Sequence, residues 1–79
     1  MVPTVLRIDG FEFYFYSHEG NEPPHIHIDK GDGTAKFWLS PVRLEYSTGL
    51  KKQEQRKAKR LVEEHRLLLL ESWNERFPG

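Results

Sequence analysis

Two histidines one residue apart are the part of this sequence best suited to chemistry. Residues 23–28 read Pro-Pro-His-Ile-His-Ile, so histidine and isoleucine alternate directly after a pair of prolines. A period of two predicts a half-buried β-strand that points His25 and His27 to one face and the isoleucines to the other. Imidazole titrates near neutral pH. The pair is therefore a candidate for proton transfer, anion binding or metal ligation.

Two predicted hairpins position this strand. Asp9-Gly10 and Asp32-Gly33 each separate alternating runs, which is typical of a two-residue hairpin turn. The resulting apolar face pairs Ile8 with Phe11, Leu6 with Phe13, Thr4 with Phe15, Ile28 with Phe37 and Ile26 with Leu39. The opposite face pairs Arg7 with Glu12, Val5 with Tyr14, Asp29 with Lys36 and His27 with Trp38. A slip of one residue would ruin both patterns, so the faces are well specified.

The rest of the chain predicts a fifth strand and a helix. Residues 42–46 alternate between apolar and charged side chains after Pro41, which indicates an edge strand. The apolar side of that strand would be Val42, Leu44 and Tyr46. Ser47 or Thr48 can cap the helix that follows. Its amphipathic stripe comprises Ala58, Leu61, Val62, His65, Leu68, Leu69 and Trp73, with Phe77 trailing.

These elements predict a single α+β domain over residues 1–79. An antiparallel sheet of four to five strands at 2–47 would pack its apolar face on one long C-terminal helix at 49–76. The face left uncovered would carry Arg7, Glu12, Tyr14, Tyr16, His25, His27, Asp29, Lys36 and Trp38. Cross-strand aromatic pairs could simply stabilise a small sheet, or the face could be a binding or active surface.

Acid–base catalysis on a phosphodiester is one interpretation of this face. One imidazole of the pair would act as base and the other as acid, with Lys36 or Arg7 stabilising developing charge. The side chains that could stack nucleic-acid bases are Tyr14, Tyr16 and Trp38. The same face could alternatively dock a protein.

Metal binding is a second interpretation of the histidine pair. A catalytic zinc site takes three protein ligands, so His25 and His27 would need a third. The candidates are Glu12, His18, Glu19 and Asp29, and no fixed spacing singles one out. We therefore predict neither a metal nor a cofactor.

The composition and the distribution of charge bear on which partners the chain could bind and on its cellular compartment. Twelve basic and twelve acidic residues cancel over the 79 residues, so bulk charge predicts no partner. Residues 51–60 nevertheless hold six cations against Glu54 in the half of the helix where cations oppose its dipole. That run is either a solvated face or a site for phosphate or an acidic partner. Without cysteine, a membrane-length apolar run or a visible secretory signal, we expect a cytoplasmic protein with no membrane contact.

Three smaller features leave alternatives. Residues 19–24 are either a turn in which Pro-Pro blocks strand pairing or a loop that rims the histidine site. His65 lies in the apolar stripe, where a hydrogen-bonded core histidine is expected rather than a ligand. Leu67–Leu70 is wider than one helix face, which indicates a partner contact or a homodimer.

The segment Glu22-Pro-Pro-His-Ile-His-Ile28, followed by Ala35-Lys36-Phe37-Trp38-Leu39, resembles the bacterial domain of unknown function 4160 family. Met1-Val2-Pro3-Thr4, the aromatic-rich stretch 11–22 and the leucine- and Trp-containing helix at 63–73 extend the resemblance over nearly the whole chain. The chain departs from the family pattern at Ile26, where phenylalanine is usual. It also departs in its basic run, where family helices more often carry acids and alanines.

The resemblance implies a bacterial toxin–antitoxin module, in which such genes stand beside a small partner of the domain of unknown function 2442 family. Our leading hypothesis is the toxin-like half of the pair, with His25 and His27 as catalytic residues and RNA or another nucleic acid as the candidate target. The alternative is a non-enzymatic protein-interaction module, acting as an antitoxin or regulatory partner.

Overall fold

A computed structural model describes residues 4–16 and 20–78 and confirms an α+β fold with a five-stranded antiparallel sheet. The strands are β1 (Thr4–Ile8), β2 (Phe11–Tyr14), β3 (His25–Lys30), β4 (Gly33–Leu39) and β5 (Val42–Thr48). Their order across the sheet follows the chain from β1 to β5. Two helices follow, α1 (Lys52–Glu64) and α2 (Arg66–Arg76). Because each strand pairs with its sequence neighbour, β1 and β5 form the two edges, as predicted for β5.

The first hairpin has the predicted turn. Asp9 and Gly10 both have positive φ, 51° and 85°, which is the signature of a type I′ turn. The pairs next to the turn, up to Leu6 opposite Phe13, also match the prediction. Beyond them a bulge places Thr4 opposite Tyr14. The predicted partners Thr4–Phe15 and Val5–Tyr14 are therefore wrong, because the bulge adds one residue to β1.

The second hairpin turns one residue earlier than predicted, which shifts the cross-strand partner of each residue by two. Its loop is Gly31-Asp32, so Lys30 lies opposite Gly33 rather than beyond the turn. Gly31 supplies a positive φ of 58°. Gly33 belongs to β4, where a Cβ atom would lie 2.8 Å from the Gly49 carbonyl oxygen. The predicted pairs of this hairpin are wrong, but an even shift leaves each side chain on its predicted face.

A second bulge changes the faces of β5. Lys36 pairs with Tyr46, whereas the next residue, Phe37, pairs with Leu44, so Glu45 is the extra residue. Leu44 consequently shares the apolar face with Phe37. Tyr46 joins Lys36 on the opposite face, contrary to the predicted alternation.

The single predicted helix is in fact two helices, separated at His65. This residue has φ −108° and ψ 18°, outside the helical region. Its backbone N–H and its Nδ1 both donate to the Leu61 carbonyl, at 3.0 and 2.9 Å. Arg66 then anchors the start of α2 by donating to the Leu39 carbonyl at 2.7 Å and to Ser40 Oγ at 3.1 Å. His65 is hydrogen-bonded as predicted, but it is half-buried at the break between two helices rather than a core residue inside one helix.

The start of α1 also differs from the prediction. Ser47 and Thr48 lie in β5, so neither caps the helix. Lys51 is the N-cap residue, and its backbone N–H donates to the Glu54 carboxylate at 2.8 Å. Gly49, with φ 77°, follows the end of β5 directly, so the helix begins only after this turn.

The apolar face of the sheet packs on both helices and forms the core. The helical contributors are Ala58, Leu61, Val62, Leu69 and Trp73. Leu68 is exposed, contrary to the predicted stripe, because Leu69 and Trp73 are the residues of α2 that face the core. Leu67 is exposed as well, so the Leu67–Leu70 run is wider than one helix face, as predicted. Neither helix of the described residues is both long and apolar enough to span a bilayer.

Candidate functional site

The strand pairings place the predicted site residues in rows on the face opposite the helices. The middle row runs across four strands and comprises Tyr14, His27, Lys36 and Tyr46. The row beside it comprises His25, Trp38 and Arg43. Directly paired residues share a face, so these side chains are neighbours. We call Tyr14, Tyr16, His25, His27, Lys36 and Trp38 the His–aromatic face.

The histidines of this face are covered, although the sequence predicted an uncovered surface. His25 is 0% exposed and His27 is 3% exposed, whereas Tyr16 is 45% exposed and Tyr46 is 46% exposed. Lys36 and Trp38 are half-buried. The face therefore has a closed centre around the imidazoles and an accessible aromatic periphery.

Aromatic rings enclose His27. Tyr14 stacks on it with ring centroids 5.5 Å apart and planes 20° apart. Tyr16 meets it at 4.6 Å and 69°, and His25 meets it edge-on at 5.2 Å. These contacts bury an imidazole against apolar rings and hold its orientation.

His25 is the first residue of β3, and Trp73 of α2 contacts it there. Its Nδ1 donates to the Pro23 carbonyl at 2.9 Å. Because a carbonyl only accepts, Nδ1 carries a proton and Nε2 is the basic nitrogen of the neutral ring. Trp38 and Trp73 lie against the ring with centroids at 5.6 and 4.8 Å. Trp73 thus joins the helical core to the His–aromatic face.

The Lys36 ammonium is held by the loop that precedes β3. Its Nζ donates to Glu22 Oε1 at 2.7 Å and sits 4.7 Å from the Trp38 ring centroid. The two side chains of the ion pair are 12% and 40% exposed, respectively. Glu22 also lies 3.9 Å from His25 Nδ1. The segment 20–24 therefore folds against the His–aromatic face.

Tyr14 and Asp29 line a shallow pocket beside His27. The Tyr14 hydroxyl donates to Asp29 Oδ1 at 2.9 Å. Burial, helped by hydrogen bonds to Tyr16 and Asp29, raises the pKa of the Tyr14 phenol well above its ordinary value. The pocket has a volume of about 210 Å³ and is lined by Thr4, Glu12, Tyr14, Tyr16 and Asp29.

Arg7 is not brought to the histidines. It pairs with Glu12 in an outer row, and its side chain is 72% exposed with Nε 3.9 Å from Glu12 Oε1. It cannot support chemistry at the imidazoles as the sequence predicted, because β2 separates β1 from β3.

No group of three metal-ligating side chains occurs among residues 4–16 and 20–78. Two of the predicted third ligands, His18 and Glu19, lie outside the described residues. The other two, Glu12 and Asp29, pair with each other on the outer row.

The comparisons with known proteins identify a family. A family model described as domain of unknown function (DUF4160) matches residues 10–74. The chain belongs to the DUF4160 family. No curated protein and no solved structure matches it. The DUF4160 match includes the whole His–aromatic face and leaves Arg7 out.

Sequence reasoning missed three residues of this DUF4160 site. Tyr46 was assigned to the apolar side because the bulge at Glu45 has no signal in the alternation. Trp73 was assigned only to the core, although it contacts His25 as well. Glu22 was considered only as part of the loop at 19–24, and its contact with Lys36 was not predicted. Its position three residues before His25 in the sequence was the signal that could have indicated this role.

Proposed function

We propose that this DUF4160 chain is a non-enzymatic protein-interaction module that binds a small partner protein through the periphery of the His–aromatic face. The contrast in exposure supports this proposal most strongly. A general acid or base must come within hydrogen-bond reach of its substrate, and both imidazoles are buried. The accessible side chains are Tyr16, Tyr46 and Arg43, of the types that dominate protein interfaces.

Charge on the face favours a protein partner over nucleic acid. A nucleic-acid interface is strongly basic. Here Glu22 pairs with Lys36, and Glu12 pairs with Arg7. Because Lys36 and Arg7 already face carboxylates, Arg43 is left as the accessible cation of this region without an ion pair among the described residues, which is little positive charge for binding phosphate.

The implied family context suggests which partner to test. We propose that the chain is one half of a bacterial toxin–antitoxin pair and that its partner is the small cognate protein of the domain of unknown function 2442 type. On this proposal, any toxin-like effect comes from occupying a target protein, and the partner relieves it by covering the same face.

Catalysis by the histidines on RNA is the second candidate function. The bond from His25 Nδ1 to the Pro23 carbonyl favours it, because such a bond orients an imidazole and leaves Nε2 as the basic nitrogen. The adjacent His27 ring at 5.2 Å would be the acid. This mechanism requires the cover over both rings to move when substrate binds.

Binding to the purified product of the neighbouring gene, measured by calorimetry, tests the interaction proposal. Tyr16→Ala with Tyr46→Ala should weaken binding by roughly tenfold or more, as expected for aromatic hot spots. Leu67→Ala with Leu68→Ala is the competing variant, since it truncates two exposed apolar residues on α2, and a loss of binding there instead would assign the partner contact to α2. Equal binding by the tyrosine variant and the wild-type protein would overturn the proposal.

Growth on expression separates the two candidates. His27→Gln removes the imidazole, so its melting curve must be recorded alongside its effect on growth. If a folded His27→Gln variant still binds the partner but no longer arrests growth, catalysis is the better explanation. If arrest follows binding in every folded variant, the interaction module is supported.

A further inference from the structure

A second surface lies on the other side of the sheet, in a groove between α1 and β5. Its volume is about 360 Å³. We call it the basic groove, and its lining residues are Phe37, Leu44, Lys52, Gln55, Arg56 and Lys59. Leu44 and Phe37 share the apolar face of the sheet, so this groove is separate from the His–aromatic face.

The three cations of the groove form one stripe along α1. Lys52, Arg56 and Lys59 follow the spacing i, i+4 and i+7, which places their side chains on one side of a helix. Other cations of the same helix have carboxylate partners: Lys57 lies 3.2 Å from Asp9, and Arg60 lies 3.7 Å from Glu64.

Within the part of the chain that the structure describes, the three groove cations form no ion pair. Lys52 also lies in the first turn of α1, where the helix dipole disfavours positive charge. Three neighbouring cations that repel one another, with Lys52 also opposing the dipole, are unfavourable for the isolated chain. An anionic ligand would remove both costs.

The floor of the groove is apolar, which sets a second requirement for a ligand. Leu44 is 38% exposed although it lies on the apolar face of the sheet, and Phe37 beneath it is buried. A ligand that fills the groove must therefore combine negative charge with an apolar group that covers Leu44.

We propose that the basic groove binds an acidic segment of a partner protein, with carboxylates on Lys52, Arg56 and Lys59 and one apolar side chain on Leu44. The first and last of these cations lie seven residues apart on the helix, or about 10 Å. An extended peptide covers that length in about three residues. Single-stranded nucleic acid fits less well, because it binds by stacking bases on exposed aromatic rings and the groove lining has none.

A labelled synthetic peptide tests this proposal by fluorescence anisotropy with the full chain at low ionic strength. The probe is a short peptide in which glutamates flank a single leucine, and its control replaces each glutamate with glutamine. The acidic peptide should bind, the glutamine peptide should not, and added salt should weaken binding.

Two matched double variants locate the site. Lys52→Gln with Arg56→Gln should weaken peptide binding by roughly tenfold. Lys57→Gln with Arg60→Gln removes the same charge from the same helix outside the groove and should change affinity by less than about twofold. Leu44→Ala should also weaken binding, whereas Tyr16→Ala with Tyr46→Ala should not. Independence from the tyrosines distinguishes this site from the His–aromatic face.

Several outcomes would overturn the proposal. Equal losses in the two double variants would mean that the peptide responds to overall charge alone. Tighter binding of a thymidine oligonucleotide, lost in the same groove variant, would assign the groove to nucleic acid. Failure of the acidic peptide to bind the wild-type protein at low salt would remove the site altogether.

Discussion

The His–aromatic face and the basic groove both contain several ionisable side chains, but these side chains have polar partners in the first region and no ion pairs among the described residues in the second. On the His–aromatic face, Lys36 contacts Glu22, Tyr14 donates to Asp29, and His25 donates to the Pro23 carbonyl. In the groove, Lys52, Arg56 and Lys59 lie beside apolar residues, and none of them forms an ion pair with a carboxylate of the described residues.

This difference separates a structural use of polar groups from a binding use. Buried polar groups stabilise a fold only when they are hydrogen-bonded, so the centre of the His–aromatic face acts as scaffold. Exposed cations without partners add little to stability and remain accessible to a ligand. Substitutions at the first region should therefore lower the free energy of unfolding, and substitutions at the second should mainly lower affinity.

The largest effect is expected at Trp73, which links the core to the histidines. Trp73→Ala should lower the free energy of unfolding by about 3–5 kcal/mol, because it removes a large buried ring. The lost neighbours include Phe15 at 5.5 Å, Phe77 at 4.4 Å and His25 at 4.8 Å. Chemical denaturation measures the loss, and Leu67→Ala on the same helix should cost less than about 0.5 kcal/mol.

A loss below about 1 kcal/mol for Trp73→Ala would contradict a shared scaffold. A double-mutant cycle with His25→Gln then tests the specific contact. Coupling of about 0.5 kcal/mol or more is expected for residues in direct contact.

The sequence predicted the sheet because its local signals agree with the final contacts. Asp9-Gly10 specified the first turn, and the alternation in β3 placed His25 and His27 on one face. Neither conclusion needs information from distant parts of the chain. The fold class, the edge position of β5 and the identity of most core residues follow from the same local rules.

What could not be predicted depends on contacts between distant residues. Gly33 enters β4 because Gly49 and Leu50 approach its backbone closely, and nothing near Gly33 in the sequence indicates this. The helix breaks at His65 where Arg66 binds the Leu39 carbonyl, 27 residues earlier in the chain. Trp73 contacts His25 from 48 residues further along the chain, so the burial of the histidines also depends on a distant residue.

The next effect compares a half-buried ion pair with an exposed one on the same side of the sheet. Glu22→Gln should cost about 1–2 kcal/mol, because it weakens a 2.7 Å charge-assisted bond to a Lys36 side chain with little access to water. Glu12→Gln is the matched change, and it should cost less than about 0.5 kcal/mol because its pair with Arg7 is long and exposed. If Glu22→Gln and Glu12→Gln lower the free energy of unfolding equally in thermal or chemical denaturation, the buried centre of the His–aromatic face is no more important for stability than the exposed surface around it.

Tyr14 gives this region a specific pH dependence. Its pKa is raised in the folded protein, mainly by burial, so the native state favours the neutral phenol. The resulting stability is complete below the unfolded pKa of about 10 and is lost as the pH rises above it. Tyr14→Phe should cost about 0.5–1.5 kcal/mol at neutral pH, because it removes the bond to Asp29, and should make alkaline unfolding less steep.

Tyr46→Phe is the control for this titration, since Tyr46 is exposed. It removes the same hydroxyl from an exposed ring and should leave the free energy of unfolding at neutral pH close to that of the wild-type protein. An alkaline transition that is unchanged in Tyr14→Phe would place the responsible group elsewhere.

The smallest change in the free energy of unfolding is expected for substitutions in the basic groove, and the sign of that change is more informative than its size. Lys52→Gln with Arg56→Gln should leave stability unchanged or raise it by a few tenths of a kcal/mol, because it relieves repulsion and an unfavourable helix-dipole interaction. Lys57→Gln with Arg60→Gln should lower stability slightly, since both residues have carboxylate partners. Denaturation at low and high salt measures both changes, and salt should reduce the gap between the variants. A loss above about 1 kcal/mol in the groove variant would mean that these cations support the fold, and the contrast between the two regions would then fail.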